Sequence, residues 1–138
     1  MTKKTILLAD DEEDIKTVIT IYLESQGYRV LTAFDGLDAL DKIQSEKPDL
    51  IFLDIMMPIM NGFEVCTKLK LDPATRDIPV VMLSSQDNIE VAVNCMKHQA
   101  FDYIVKSETA FLRLQKAITT IFHYQKIEKA LSWYMEKM

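Results

Sequence analysis

The sequence predicts an α/β fold in which helices cover both faces of a five-stranded parallel sheet. Five short runs are apolar or β-branched and have the length of strands. The segments between them carry apolar residues three and four positions apart, which is the spacing of one helix face. Since parallel strands need crossover connections, this strict alternation predicts a doubly wound sheet.

The expected strands are residues 5–9, 28–33, 49–54, 79–84 and 102–106. Helix-breaking residues agree with these boundaries. Gly27 ends the first helical segment and Gly36 falls in the next loop. The four prolines also lie between predicted elements; they are Pro48, Pro58, Pro73 and Pro79.

Each of the first four helical segments carries its own apolar set. These sets are Ile15, Val18, Ile19, Tyr22 and Leu23; Leu37, Leu40 and Ile43; Phe63, Val65, Cys66 and Leu69; and Ile89, Val93 and Met96. The last helix is expected to begin near Ser107, with Ser107 as its N-cap. No proline follows Pro79 and no glycine follows Gly62, so this helix can run to the end of the chain as about 28 residues, or roughly 42 Å.

The last helix is predicted to have two parts with different roles. Its first turns place Phe111, Leu114, Ile118 and Ile121 where they can pack on the sheet. Beyond them a second apolar set repeats at spacings of three and four: Tyr124, Ile127, Leu131, Tyr134 and Met138, which we call the tail stripe. We therefore divide the chain into a core, residues 1–107, and a helix with its extension, residues 108–138. The tail stripe favours pairing with a second copy of the chain, or a link to an output domain, over a helix that folds back onto its own domain.

Composition excludes several classes of protein. The chain has 138 residues, is 49% hydrophobic and has a net charge of −5, which suits one folded domain without a basic face for nucleic acid. Cys66 and Cys95 are too few for a disulfide framework and are expected to be buried small hydrophobes. The N-terminal apolar run is too short for a signal peptide or a membrane span. We expect a cytoplasmic protein that binds neither membranes nor DNA directly.

Charged residues follow the predicted strands where parallel strands end together. Asp10 and Asp11 follow the first strand, Asp54 ends the third, Ser84 ends the fourth and Lys106 ends the fifth. If the strand order is 2-1-3-4-5, these groups converge at the ligand-binding edge of the sheet. Clustered carboxylates repel one another unless a cation is present, and an oxygen-only ligand set suits Mg²⁺. Asp54 could then attack phosphorus while Lys106 and Ser84 hold phosphoryl oxygens.

Four segments in order resemble the receiver domain of two-component response regulators. They are "ILLADDEEDI", "LIFLDIMMPIMNGFE", "IPVVMLSS" and "DYIVK", and the resemblance covers residues 1–107. It implies a flavodoxin-like sheet of order 2-1-3-4-5 and a phosphoacceptor signalling domain that is a switch, not an enzyme with a separate substrate. The implied partner is a sensor histidine kinase or a phosphotransfer protein.

The same resemblance assigns roles to individual residues. It makes Asp54 the phosphoacceptor and implies that Asp11, Asp54 and the backbone carbonyl of Met56 bind Mg²⁺, with Asp10 acting largely through water. It makes Ser84 and Tyr103 a switch pair and lets Lys106 bond the phosphate. The family's lysine is commonly followed by proline, whereas Ser107 stands here, so a trans bond or a strained loop is expected.

Two alternative functions and two alternative residue roles stay open at this stage. An aspartyl-phosphate phosphatase of the haloacid dehalogenase type also uses a strand-end aspartate, Mg²⁺ and a lysine, but it needs a second acid where Met56 stands. A pseudo-receiver scaffold would never take phosphate. Within the site, Tyr103 could be core filling, and Ser85 competes with Ser84 for the hydroxyl role.

Overall fold

The computed structural model describes residues 3–138, and it has the predicted α/β architecture. The strands are β1 (Thr5–Ala9), β2 (Arg29–Ala33), β3 (Leu50–Asp54), β4 (Val80–Ser84) and β5 (Asp102–Val105). The helices are α1 (Glu13–Ser25), α2 (Gly36–Glu46), α3 (Gly62–Leu71), α4 (Ile89–Lys97) and α5 (Ala110–Lys137). Strand and helix alternate without interruption, which confirms the predicted fold class.

The sheet is parallel and its order is β2-β1-β3-β4-β5, as predicted. Ala9 of β1 is in register with Leu53 of β3, so the residues that follow them, Asp10 and Asp54, lie side by side. Ser84 of β4 is in register with Val105 of β5, which brings Lys106 to the same edge. The strand order reverses between β1 and β3, and this is where such sheets bind ligands.

Alternate strand residues face the two helical layers. Leu7 and Ile51, for example, belong to the core beneath α2, α3 and α4, whereas Ile6 and Phe52 belong to the core beneath α1 and α5. All of β3 and β4 is buried, because helices cover both faces of the central strands. Functional side chains are therefore expected at the carboxyl ends of these strands and in the loops that follow them.

Three helices begin at the functional edge with side-chain caps. Asp35 accepts a hydrogen bond from the backbone N–H of Asp38 at the start of α2, and Asn88 accepts one from Val91 at the start of α4. Asn61 and Glu64 form a reciprocal capping box at the start of α3. These caps fix where the loops after β2, β3 and β4 end.

Helix α5 is a single helix of 28 residues, as the sequence predicts. Its packed face buries Leu114, Ala117, Ile118 and Ile121. The expected N-cap at Ser107 is wrong: the N-cap is Thr109, and it makes no side-chain cap bond. The carbonyl of Ser107 instead accepts a hydrogen bond from the N–H of Ala110, which delays the helix by one turn.

Two further backbone findings concern the whole described chain. No cis peptide bond occurs between residues 3 and 138, so the bond between Lys106 and Ser107 is trans. Among the helices of these residues, none combines the length and the apolar character needed to span a membrane.

Candidate phosphoacceptor site

Asp10 and Asp54 form the buried floor of the site. They are 0% and 3% exposed, respectively. Each carboxylate accepts a hydrogen bond at one oxygen from the backbone N–H two residues later: Glu12 to Asp10 Oδ1 at 2.9 Å, and Met56 to Asp54 Oδ1 at 3.1 Å. These bonds fix both side chains and leave the Oδ2 atoms for other partners.

Lys106 joins the two aspartates. Its Nζ lies 3.0 Å from Asp54 Oδ2 and 2.8 Å from Asp10 Oδ2, and it also pairs with Glu12 Oε1 at 3.1 Å. The bond to Asp54 is a hydrogen bond, whereas the contact with Asp10 is an ion pair without hydrogen-bond geometry. One cation therefore balances three carboxylates, and the site carries an excess of negative charge.

Burial affects the pKa values of both Asp54 and Lys106. It raises the pKa of Asp54 from its ordinary 3.8 to about 7, because the charged form is poorly solvated; Asp10 adds to the rise, and Lys106 opposes it. Burial alone would lower the pKa of Lys106, but the carboxylates of Asp10 and Asp54 outweigh it and raise that pKa overall. Near neutral pH the lysine is charged and Asp54 titrates.

Four acids at this edge provide a ligand set for a divalent cation. Asp10, Asp11, Glu12 and Asp54 each place a carboxylate oxygen within 4.8 Å of the others. Asp11 and Glu12 are exposed, while Asp10 Oδ2 is buried and accepts no hydrogen bond from residues 3–138. A cluster of carboxylate oxygens whose charge is balanced only in part by one ammonium group, Lys106, fits a hard cation such as Mg²⁺.

The loop after β3 is closed tightly around Asp54. The N–H of Gly62 donates to the carbonyl of Ile55 at 2.9 Å, and a Cβ at Gly62 would lie 2.5 Å from the carbonyl oxygen of Asp54. A Cβ at Gly36 would lie 2.0 Å from the carbonyl oxygen of Met60, so the loop after β2 also packs directly on this one. Both glycines are required for these close approaches.

A strained turn lies at the tip of this loop. The N–H of Met60 donates to the carbonyl of Pro58 at 2.7 Å, which forms a γ-turn centred on Ile59. Ile59 has a φ of 71°, a value that β-branched residues rarely adopt, and its side chain is exposed. The chain thus holds backbone strain five residues after Asp54.

Ser84 and Tyr103 are connected through the backbone of one residue, Gln86, by way of its two adjacent peptide units. Ser84 is buried, and its Oγ accepts a hydrogen bond from the N–H of Gln86 at 3.0 Å. The hydroxyl of Tyr103 donates to the carbonyl of the same residue, Gln86, at 2.9 Å. Tyr103 is only partly buried, whereas Ser85 is exposed.

The structure thus brings Asp10, Asp11, Asp54 and Lys106 together, while Ser84 ends the neighbouring strand and is linked to Tyr103 through Gln86. It also adds Glu12, which the sequence analysis did not place at the site. The run "DDEED" carries the only available signal for Glu12, because sequence alone does not show which of five adjacent acids face the site. Met56 contributes its N–H to Asp54, and its side chain is exposed.

Comparisons with known proteins agree with this geometry. Residues 6–119 match the family model described as the response regulator receiver domain. The chain is 44% identical over 103 residues to the alkaline phosphatase synthesis transcriptional regulatory protein PhoP of Bacillus subtilis; the match covers 75% of this chain and 42% of PhoP. The chain therefore spans less than half the length of this relative.

Two solved structures extend the comparison. NtrX from Brucella abortus superposes with a TM-score of 0.84 at 31% identity, and the match covers 99% of this chain and 31% of NtrX. The receiver domain of a sensor histidine kinase from Pseudomonas aeruginosa, solved with a magnesium ion in its active site cleft, has a TM-score of 0.78 at 26% identity. That match covers 86% of this chain and 97% of the other.

Proposed function

Because this chain belongs to the response regulator receiver domain family, we propose that Asp54 accepts a phosphoryl group from a sensor histidine kinase or a phosphotransfer protein. The chain is a signalling domain of a two-component system, and its family membership establishes that role. The observation that carries the assignment to Asp54 is its hydrogen bond to Lys106 at the buried end of β3.

The transfer follows from the groups present. An oxygen of Asp54 forms a bond to phosphorus while the bond from phosphorus to the donor's imidazole nitrogen breaks, and its electron pair returns to the imidazole. Asp54 can attack only when it is ionised, and its charge is held in place by Lys106 at 3.0 Å. The ammonium of Lys106 is then positioned to bond an oxygen of the new acyl phosphate.

We assign the Mg²⁺ site to Asp10, Asp11, Asp54 and the backbone carbonyl of Met56. The fit rests on the four clustered carboxylates, whose negative charge Lys106 balances only in part. When bound, Mg²⁺ neutralises charge on the acids and on the transferred phosphoryl group. Glu12 contacts Lys106 and is a further candidate for the outer part of this site.

The switch is proposed to act through Ser84 and Tyr103. Both are bonded to the backbone of Gln86, so movement of the Ser84 hydroxyl toward a phosphoryl oxygen would release the Gln86 N–H and let the residue that holds Tyr103 change its backbone conformation. This gives a physical connection from the buried site to the exposed surface after β4.

We also propose where the phosphodonor binds. The phosphodonor can contact the apolar groove of about 340 Å³ between α1 and α5, which begins at Lys106 and is lined by Val18 and Phe111.

We propose that the domain is cytoplasmic and hydrolyses its own acyl phosphate slowly. PhoP is called a transcriptional regulatory protein, but with a net charge of −5 this segment is not proposed to bind DNA itself. The long α5 is the proposed link to a second copy or an output domain.

The experiment that tests this function measures intact mass after brief incubation with acetyl phosphate, with and without Mg²⁺. The expected product carries one phosphoryl group per chain and forms only with Mg²⁺. The exposed Asp41 provides a matched control, because Asp41→Asn should be labelled as fully as wild type while Asp54→Asn is not. Continuous hydrolysis of p-nitrophenyl phosphate would instead support the phosphatase, and no labelling by any phosphodonor would support the scaffold.

A further inference from the structure

We infer that the C-terminal part of α5 pairs in parallel with the same segment of a second copy of this chain, through the tail stripe. The stripe residues are all exposed: Tyr124 and Leu131 are 60% and 58% exposed, and Tyr134 is 63% exposed. An apolar stripe of this length on one helix needs a covering surface. The inference concerns the tail and does not depend on phosphorylation of Asp54.

The helix's own domain does not provide that surface. Leu114, Ile118 and Ile121 pack on the sheet, and the same line along the helix continues through Gln125, Glu128 and Ser132, which are polar. This polar face lines a groove with Lys4 and Asp49 at the opposite edge of the sheet from the phosphoacceptor site. The side of the extension that meets the domain is therefore hydrophilic.

The tail stripe points in a different direction. At roughly 100° per residue it lies about 110° around the helix from the packed face. It shares its side of α5 with Arg113, which donates to the carbonyl of Tyr103 on the edge strand β5. The side facing α1 is occupied by other residues, since Gln115 bonds Tyr22 and Phe122 lies against the ring of Tyr28. A fold-back onto this domain would leave the stripe uncovered.

The spacing of the stripe fits a second identical helix. Tyr124, Leu131 and Met138 occupy one heptad position, and Ile127 and Tyr134 occupy the other, so the stripe forms a two-heptad seam. Such a seam matches itself when two copies lie side by side in register. Helix α4 also has exposed apolar residues at helical spacing, Ile89, Val93 and Met96, but they span only residues 89–96, whereas the tail stripe spans residues 124–138.

Flanking charges favour the parallel orientation. In a parallel pair, His123 of one copy lies beside Glu128 of the second copy, and this contact occurs twice. In an antiparallel pair with the same apolar contacts, the two Glu128 side chains approach each other and His123 approaches Lys137. The parallel arrangement avoids the contact between the two Glu128 carboxylates and places each of them beside an imidazole that can donate a hydrogen bond.

Sedimentation equilibrium of the full chain tests the pairing. The double variant Ile127→Glu/Leu131→Glu should weaken self-association at least tenfold, whereas Gln125→Glu/Ser132→Glu adds the same charge on the polar face and should leave it unchanged. Circular dichroism checks that both variants remain folded. A monomeric wild type at high concentration, or equal weakening by both pairs, would overturn the inference.

Disulfide trapping tests the orientation. In a parallel pair the two Leu131 side chains face each other, so Leu131→Cys should cross-link readily under mild oxidation and Ser132→Cys should not. Cross-linking only in a mixture of Ile127→Cys and Leu131→Cys chains would show an antiparallel pair and reject the parallel one. Repeating the measurement in Asp54→Asn, where pairing should persist, separates this result from any failure of the phosphoacceptor assignment.

Discussion

The Nζ of Lys106 lies 3.0 Å from Asp54 Oδ2 and 2.8 Å from Asp10 Oδ2, so one lysine holds the ends of β1 and β3 together. This contact spans 52 residues of sequence between Asp54 and Lys106. It neutralises only part of the charge, because Glu12 and Asp11 lie in the same cluster. The cluster therefore keeps negative charge that a further cation can balance, as proposed for Mg²⁺.

The first prediction concerns stability against pH without Mg²⁺. Asp54 keeps its proton up to about pH 7 in the folded protein, but in the unfolded chain it ionises near 3.8. Its raised pKa therefore stabilises the fold at low pH, and this contribution is lost as pH rises from about 4 through 7. Asp54→Asn should lack this loss and be more stable than wild type at pH 8 by about 1–3 kcal/mol.

Urea unfolding at several pH values measures this effect. Added Mg²⁺ should stabilise wild type more than Asp54→Asn, because the carboxylate charge binds the ion. Parallel pH profiles for the two proteins would contradict the proposed ionisation of Asp54.

The second prediction distinguishes the contributions of the exposed acids Asp11 and Glu12 to Mg²⁺ binding. Asp11→Ala should weaken Mg²⁺ binding by about tenfold or more, since each carboxylate ligand offsets part of the ion's dehydration. Glu12→Gln should have a smaller effect, because Glu12 pairs with Lys106 and is mostly exposed. Calorimetric titration of the two variants checks this order; unchanged affinity in Asp11→Ala would remove Asp11 from the site.

The third prediction concerns Lys106. Lys106→Ala should still bind Mg²⁺, because all the acids remain, but the phosphorylated variant should not show the normal change at Gln86 and Tyr103. Amide NMR shifts before and after phosphorylation measure that change. Lys42→Ala, which removes a lysine paired with Asp38 on α2, is the control and should respond like wild type. A wild-type response in Lys106→Ala would show that the lysine does not couple phosphate to the switch.

The fourth prediction concerns the strained turn. Ile59→Gly should stabilise the protein by about 1 kcal/mol, because glycine adopts a positive φ without the steric strain of a β-branched side chain. Little burial is lost, since Ile59 is 75% exposed. Ile59→Ala removes the side chain and keeps most of the backbone strain, so it should gain less. Thermal unfolding compares the three proteins, and equal stability of the glycine and alanine variants would exclude backbone strain as the cause.

Sequence reasoning predicted the strands because short continuous runs of apolar or β-branched residues, bounded by prolines and glycines, mark them directly. It predicted the convergence of Asp10, Asp54 and Lys106 because parallel strand ends must share an edge. It could not find the contact of Glu12 with Lys106, or the shared bonds of Ser84 and Tyr103 to Gln86. Those depend on loop backbone geometry, which has no periodic signal.

Helix details were predicted less well, for a related reason. Ser107 has the composition of an N-cap, but the turn that follows β5 is fixed by tertiary contacts, and α5 begins after Thr109. Val93 and Met96 repeat at helical spacing and yet are exposed on α4. Apolar residues that repeat at helical spacing show that a helix has an apolar face. They do not show which part of the protein, if any, covers that face.

The most direct test of the account identifies the residue that carries the phosphoryl group. After brief reaction with acetyl phosphate and Mg²⁺, borohydride reduces an aspartyl phosphate to homoserine, and peptide mass spectrometry locates the converted residue. The account predicts homoserine at position 54 alone, and none when Mg²⁺ is omitted. Homoserine at Asp10 or Asp11, or full labelling of Asp54→Asn, would contradict it.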